Sequence, residues 1–192
     1  TFNHLPSFCY LPTKAQKKNQ QFALSFYPEN DCNHSAVVGS IAKKFLTNDP
    51  DRVVHSAKSW FAHRQIDPNQ KLLPWHSESL IGHEKLSPIE VASYYLLHLK
   101  HVWNKAIAKN NADLDLTKQR ITITLPASFD EVATSLTLES ANQAGFNGKL
   151  LRVLEEPQAA FYCWLAEQNE ETKDFNLKAK DDFIWRYLYI LV

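Results

Sequence analysis

Residues 121–160 read ITITLPASFDEVATSLTLESANQAGFNGKLLRVLEEPQAA, and no other stretch constrains the fold as tightly. A β-branched run, Ile121 to Leu125, predicts a strand that stops at Pro126. Ser128 and Glu131 predict a capping box for a following helix, with Val132, Leu136 and Ala144 on its inner face and Gly145 at its left-handed stop. A second strand is predicted from Lys149 to Leu154. It ends in Glu155 and Glu156, and Pro157 opens another helix through Trp164 and Leu165. Strand, helix, strand implies a parallel pair with a right-handed crossover. Ligands of open α/β sheets collect at the carboxyl ends of the strands, here beside Pro126 and the two glutamates.

Apolar residues make up 44% of the 192, enough for a packed core. Lys plus Arg and Asp plus Glu both number 21, so charge gives no case for nucleic acid or an anionic membrane as partner. No window approaches the ~18 apolar residues of a membrane span. TFNHLPSFCYLP lacks the basic start and apolar stretch of a signal peptide. Cys9, Cys32 and Cys163 form no Cys-x-x-Cys pair, so a zinc site or disulfide framework is not indicated and a reducing cytoplasm fits. The absence of methionine suggests a piece of a longer reading frame or a processed chain. The four glycines, at 39, 82, 145 and 148, make no phosphate-cradling loop.

Upstream, Ser7 to Leu11 and Gln21 to Tyr27 predict a hairpin whose long basic tip, TKAQKKNQ, carries solvated lysines at 14, 17 and 18, with a partner patch as the lesser reading. Ala36 to Val38 predicts a short strand and Ser40 to Leu46 a short helix. Asp49 and Pro50 then predict a helix start, with Val53, Ala57, Trp60 and Phe61 as its buried stripe. On that helix Lys58 lies about 40° beyond Val54, at the edge of the buried face. A snorkelling surface lysine and a lysine aimed into a cleft both remain open. Residues 64–86 read as an irregular excursion held by Leu72, Leu73 and Trp75. Ser87-Pro88-Ile89-Glu90 is a capping box, and the apolar spacing after it predicts a helix to about Lys109–Asn111. Glu167 to Asp182 reads as a polar connection, and Phe183 to Val192 as a strand cut off at the last residue.

His98 and His101 could share a helix face, yet no carboxylate or cysteine completes a metal set, so both read as surface histidines. Cys163 reads as a small buried helix residue, and no Gly-x-Ser-x-Gly elbow exists. Glu155 and Glu156 end a strand and point to opposite sides, so one faces the cleft, as a cap or as a catalytic group.

The ordered set VVGSIAKKFLTNDP (37–50), SAKSW (56–60), LSPIEVASYYLLHLK (86–100), ITITLPASFDEVA (121–133) and LLRVLEEPQAAFY (150–162) resembles the ATPase domain of the seventy-kilodalton heat-shock chaperones, the DnaK-like family. The pieces are collinear with the family over most of the chain. The LLPWH insertion and the Glu-Glu-Pro-Gln variant point to a divergent bacterial branch. The resemblance implies an α/β actin-like ATPase (ribonuclease-H-like) fold, as a partial first lobe. Residues 1–116 would form its outer α+β subdomain, and 117–192 an incomplete inner βαβα subdomain truncated before the second phosphate loop. It implies that Lys58 reaches the γ-phosphate region and that Glu156 arranges magnesium-bound water. It also implies that Pro126 couples nucleotide state to the rest of the machine and that Arg152 docks a J-domain co-chaperone. The family's first Asp-x-Gly-Thr-Thr hairpin and its second, Asp-x-Gly-Gly-Gly-Thr loop are missing, and Thr134 stands where the family often has an arginine of its relay.

The parent protein is therefore expected to be a cytoplasmic chaperone that hydrolyses ATP to ADP with Mg2+. It would work with a J-domain co-chaperone, a nucleotide-exchange factor and client polypeptides bound by another domain. The chain alone is expected to be inactive and to bind no nucleotide tightly. The competing reading is a naturally shortened, non-catalytic module that holds a J-domain protein through its Pro126–Arg152 surface. A sugar-kinase relative of the same superfold fits the motifs less well.

Overall fold

The computed structural model describes residues 5–19, 21–22, 36–63, 66–109, 111–146, 148–171 and 189–191. Among these the chain is mixed α/β, with two small sheets joined by a helix that serves both.

The first sheet centres on β1 (Phe8–Tyr10), flanked by β2 (Val37–Val38) and β3 (Val53–His55), both antiparallel to it. Cys9 lies opposite Val38 and Val54, and Tyr10 opposite Val37 and Val53. Alternation sends Cys9, Val38 and Val54 into a core with Val91 and Tyr95. Tyr10 and Val53 face the other way, toward Ala42 of α2 (Ser40–Asn48). There the Tyr10 ring stacks on Phe45 at 3.9 Å.

Three expectations fail in this unit. The basic tip is not a loop: Thr13 and Gln16 form a reciprocal capping box that opens α1 (Lys14–Lys18). The partners of β1 are β2 and β3 rather than a hairpin strand at 21–27; Gln21 and Phe22 form a turn, and 23–27 lie outside the described residues. The helix expected from Asp49 is absent. Pro50–Arg52 makes one 3-10 turn, β3 follows, and Ala57–Ala62 is a second 3-10 turn. Val53 and Val54 bury opposite faces against two cores, which a strand permits and a single helical stripe does not.

The excursion is held by Leu72 and Leu73, the latter bridged to Leu86, while Trp75 is 62% exposed and only flanks Trp60. The helix α3 (Pro88–Trp103) starts with the expected Ser87/Glu90 capping box and runs into a π turn, Asn104–Ala108. Its buried residues supply all the larger cores: Val91 and Tyr95 under the first sheet, Leu96 under the second, Ile89 and Ala92 between them. His101 is buried there rather than on the surface.

The second sheet has the order β5-β4-β6, all parallel. β4 (Ile121–Leu125) is buried throughout. Its neighbours are β5 (Leu151–Glu155) and β6 (Tyr189–Leu191), the latter the only described part of the expected terminal strand. α4 (Glu131–Gln143) is capped by Asp130, not Ser128: the Asp130 carboxylate accepts from the Ala133 N–H at 3.0 Å. The later start turns Ala133, Thr137 and Ala141 inward and leaves Val132 64% exposed. Gly145 takes the left-handed stop with φ +90°. α5 (Glu156–Glu171) continues through residues expected to be a connection. It leaves Cys163 exposed rather than buried, beside exposed Phe161 and Trp164. Among the described residues no helix is long and apolar enough to cross a membrane.

Candidate functional site

Because β4 and β5 are parallel, their carboxyl ends lie together, with Leu125 opposite Glu155. The chain leaves β4 through Pro126, whose carbonyl accepts from the Phe129 N–H at 3.0 Å in the turn that leads to α4. It leaves β5 directly into α5, whose first residue is Glu156. Both exits therefore stand at one edge of the sheet, and Glu156 sits where the helix dipole favours an anion.

Lys58 reaches this edge from the other unit. Ser56 adopts a left-handed conformation, φ 56° and ψ 34°, which for a residue with a side chain is held only by its surroundings. That bend opens the Ala57–Ala62 turn, and Ser59 fixes it: its N–H and hydroxyl both donate to the Ser56 carbonyl, at 3.1 and 2.7 Å. The Lys58 ammonium then donates to Glu156 Oε1, in an ion pair between residues 98 apart in sequence. The two side chains are 24% and 33% exposed, so the pair is accessible without being fully solvated. The Lys58 Nζ also lies 6.0 Å from the Phe129 ring centroid.

A cleft of about 870 Å³ opens beside the pair. Its lining includes His55, Ser56, Lys58, Pro126 and Phe129, so β3, the 3-10 turn and the end of β4 share one opening. Lys58 and Pro126 line the cleft, and Glu156, which does not line it, joins them through its ion pair with Lys58. Arg152 is not among them: it lies in β5 opposite Thr122, exposed, and does not line the cleft. Thr134 lies in the first turns of α4, where its N–H donates to the Asp130 carbonyl at 3.0 Å.

Chemically, the arrangement offers one ammonium, one carboxylate and apolar walls. An anionic group entering the cleft would compete with Glu156 for the ammonium. No group of three or more His, Cys, Asp and Glu side chains converges as a metal cage among the described residues. A lone accessible carboxylate suits a magnesium ion that keeps most of its waters and takes further oxygens from a bound phosphate. The sequence reading passed over Ser56 and Phe129. A helix assigned across 50–61 hides the bend, and nothing in the order Ser-Ala-Lys marks a left-handed residue.

No protein-family model matches the chain. Among curated proteins it is similar to a heat shock protein homolog of Encephalitozoon cuniculi, 27% identical over 82% of this chain and 26% of the relative. It is similar to a chaperone protein HscA homolog of Acinetobacter baylyi, 28% identical over 72% of this chain and 22% of the relative. A third relative, the chaperone protein HscA homolog of Mannheimia succiniciproducens, is 32% identical over 72% of this chain and 23% of its own length. The chain spans about a quarter of the length of the curated relatives it matches.

Proposed function

Because the chain belongs to the seventy-kilodalton heat-shock chaperone family, we propose that it supplies the first-lobe wall of an ATP-binding, ATP-hydrolysing domain of actin-like fold. The observation that carries this reading is the meeting of Lys58 and Glu156 beside an open cleft at the carboxyl ends of β4 and β5. In a chain of the relatives' full length, the Lys58 ammonium would donate to oxygens of the γ-phosphoryl group. Where the same ammonium also reaches the bridging oxygen that leaves with ADP, the negative charge that builds there as the bond breaks would be stabilised more in the transition state than in bound ATP. Glu156 would accept hydrogen bonds from the attacking water, or from water on magnesium, and hold it in line. Bound magnesium would neutralise charge across the phosphate oxygens. The apolar wall around Phe129 would exclude bulk water and strengthen the ammonium's pull.

Pro126 connects the cleft to α4 through a single turn, which suits it to pass nucleotide state onward. Arg152 lies exposed on β5, an edge strand among the described residues, and is the residue we assign to a J-domain co-chaperone. Exchange factors and clients belong, on this reading, to the longer protein, and the compartment is the cytoplasm. An exposed thiol at Cys163 fits a reducing compartment.

The 192 residues hold no glycine-rich phosphate loop, so turnover by this chain alone should be negligible. Micromolar ATP binding with turnover, seen by calorimetry on this chain, would contradict that assignment. In a chain of the relatives' full length, Lys58→Ala should cut hydrolysis roughly 100-fold or more and leave most ATP binding. Near-normal turnover would remove Lys58 from the mechanism. For the docking surface, Arg152→Glu should abolish pull-down by a J-domain protein; equal recovery of variant and parent would dissociate Arg152 from that contact.

A further inference from the structure

A second cleft, of about 480 Å³, lies between α1 and the Leu80–Tyr94 segment, away from Lys58 and Glu156. It gathers five cationic side chains, Lys14, Lys17, Arg52, Lys71 and Lys85, against two carboxylates, Glu84 and Glu90. Both carboxylates are already committed. Glu84 pairs with Lys14 at 3.5 Å. Glu90 pairs with Lys71 at 3.2 Å while its other oxygen accepts from the Ser87 N–H at 2.7 Å. Among the described residues, Arg52 and Lys85 donate only to neutral groups. Arg52 donates to the Leu11 carbonyl at 3.3 Å and Lys85 to the Ser77 carbonyl at 3.2 Å. Lys17 pairs with no carboxylate among the described residues. Among the described residues that line the concavity, Lys and Arg thus outnumber carboxylates by three, in a chain whose net charge is zero.

We propose that this cleft is a separate binding site for a compact polyanion, a small molecule that carries two or more phosphate or carboxylate groups. Its charge would balance the surplus at Lys17, Arg52 and Lys85, and the Arg52 fork and the two ammonium groups supply donors matched to phosphate or carboxylate oxygens. Leu11, Leu86 and the Tyr94 ring form an apolar wall for an organic remainder. The volume suits a small ligand. The crowding of charge is also felt by Lys17 itself: burial and the nearby Arg52 guanidinium lower its pKa, with Glu84 opposing. The capping box of α1 fixes the turn that carries Lys14 and Lys17 at the rim of the cleft, where both side chains remain exposed.

The test is calorimetric titration of the 192-residue chain with pyrophosphate and, separately, with citrate. Saturable one-to-one binding of at least one probe is expected, weakening with added salt. Preference for pyrophosphate identifies phosphoryl groups as the anions read; preference for citrate identifies carboxylates. Lys17→Ala and Lys85→Ala should each weaken the preferred probe about tenfold, Lys17→Arg should restore it, and Lys58→Ala should leave it unchanged. Lys17 is exposed and its side chain holds no other element in place among the described residues, so Lys17→Ala tests the site even in the event that Lys85→Ala, which loses its bond to the Ser77 carbonyl, fails to fold. Absence of saturable binding by both probes overturns the proposal. So does undiminished binding by Lys17→Ala, or loss in Lys58→Ala. The nucleotide assignment survives any of the first two results, because it rests on the other cleft.

Discussion

The Asp51 carboxylate accepts from the Ser77 hydroxyl at 2.9 Å, from the Glu78 and Ser79 N–H groups at 3.0 and 3.1 Å, and from the Ser79 hydroxyl. The Ser79 hydroxyl contributes most to holding this carboxyl far below the usual carboxylate range, with burial opposing and the remaining donors assisting. A group whose folded pKa is depressed stabilises the fold above its unfolded value and loses that contribution as pH falls toward the folded one. Asp51→Asn should therefore cost about 1 kcal/mol at neutral pH, a figure already reduced for the solvent near this turn. The gap between variant and parent should begin to narrow below about pH 4 and keep shrinking as pH falls further. Thermal melts from pH 7 down to pH 2.5 check this, and a gap independent of pH would assign the loss to something other than the charge. Nothing in the sequence marks Asp51, because its four donors lie 26 to 28 residues away. Lys58 was ambiguous for a related reason. Residue spacing could place it only on a helix that does not form, and the motif likeness, not the spacing, pointed it into the cleft.

Elements with strong local signals were legible. For α3, a proline at the first helical position, a serine cap and apolar residues at three- and four-residue spacing all agree, and the helix forms where they say. Ser87→Ala should cost about 1 kcal/mol by removing the cap bond to the Glu90 N–H. Leu96, fully buried against Ile121, Ile123 and Phe146, should cost about 2–5 kcal/mol as Leu96→Ala. Urea unfolding of both variants measures the two losses, and a Leu96→Ala cost no larger than that of Ser87→Ala would contradict the place of α3 at the centre of the core. Residues 49–62 were not legible, since Asp49-Pro50 imitates a helix start. The alternative depends on a long-range event, the pairing of Val53 and Val54 with Tyr10 and Cys9. The start of α4 was misplaced because Ser128 and Asp130 are both competent caps, and only the packing of Ala133 selects between them.

At the scale of the molecule, two sheets with separate cores are held together by α3 and by contacts of the Ala57–Ala62 turn with α3 and α4. The Lys58–Glu156 pair crosses that junction from β3's side to β5's side. The parallel unit was readable from its own residues. The cross-junction contact was not, because it joins positions whose nearness depends on both cores having formed. The proposed chemistry requires that the ammonium and the carboxylate act on one bound triphosphate. A double-mutant cycle on single-turnover ATP hydrolysis, in a chain of the relatives' full length, measures this directly with Lys58→Ala, Glu156→Ala and the two combined. Residues that act as a unit are strongly non-additive, so the double variant should be about as slow as the slower single one. Losses that multiply independently, or single variants that turn over at the parent rate, would contradict a shared crevice.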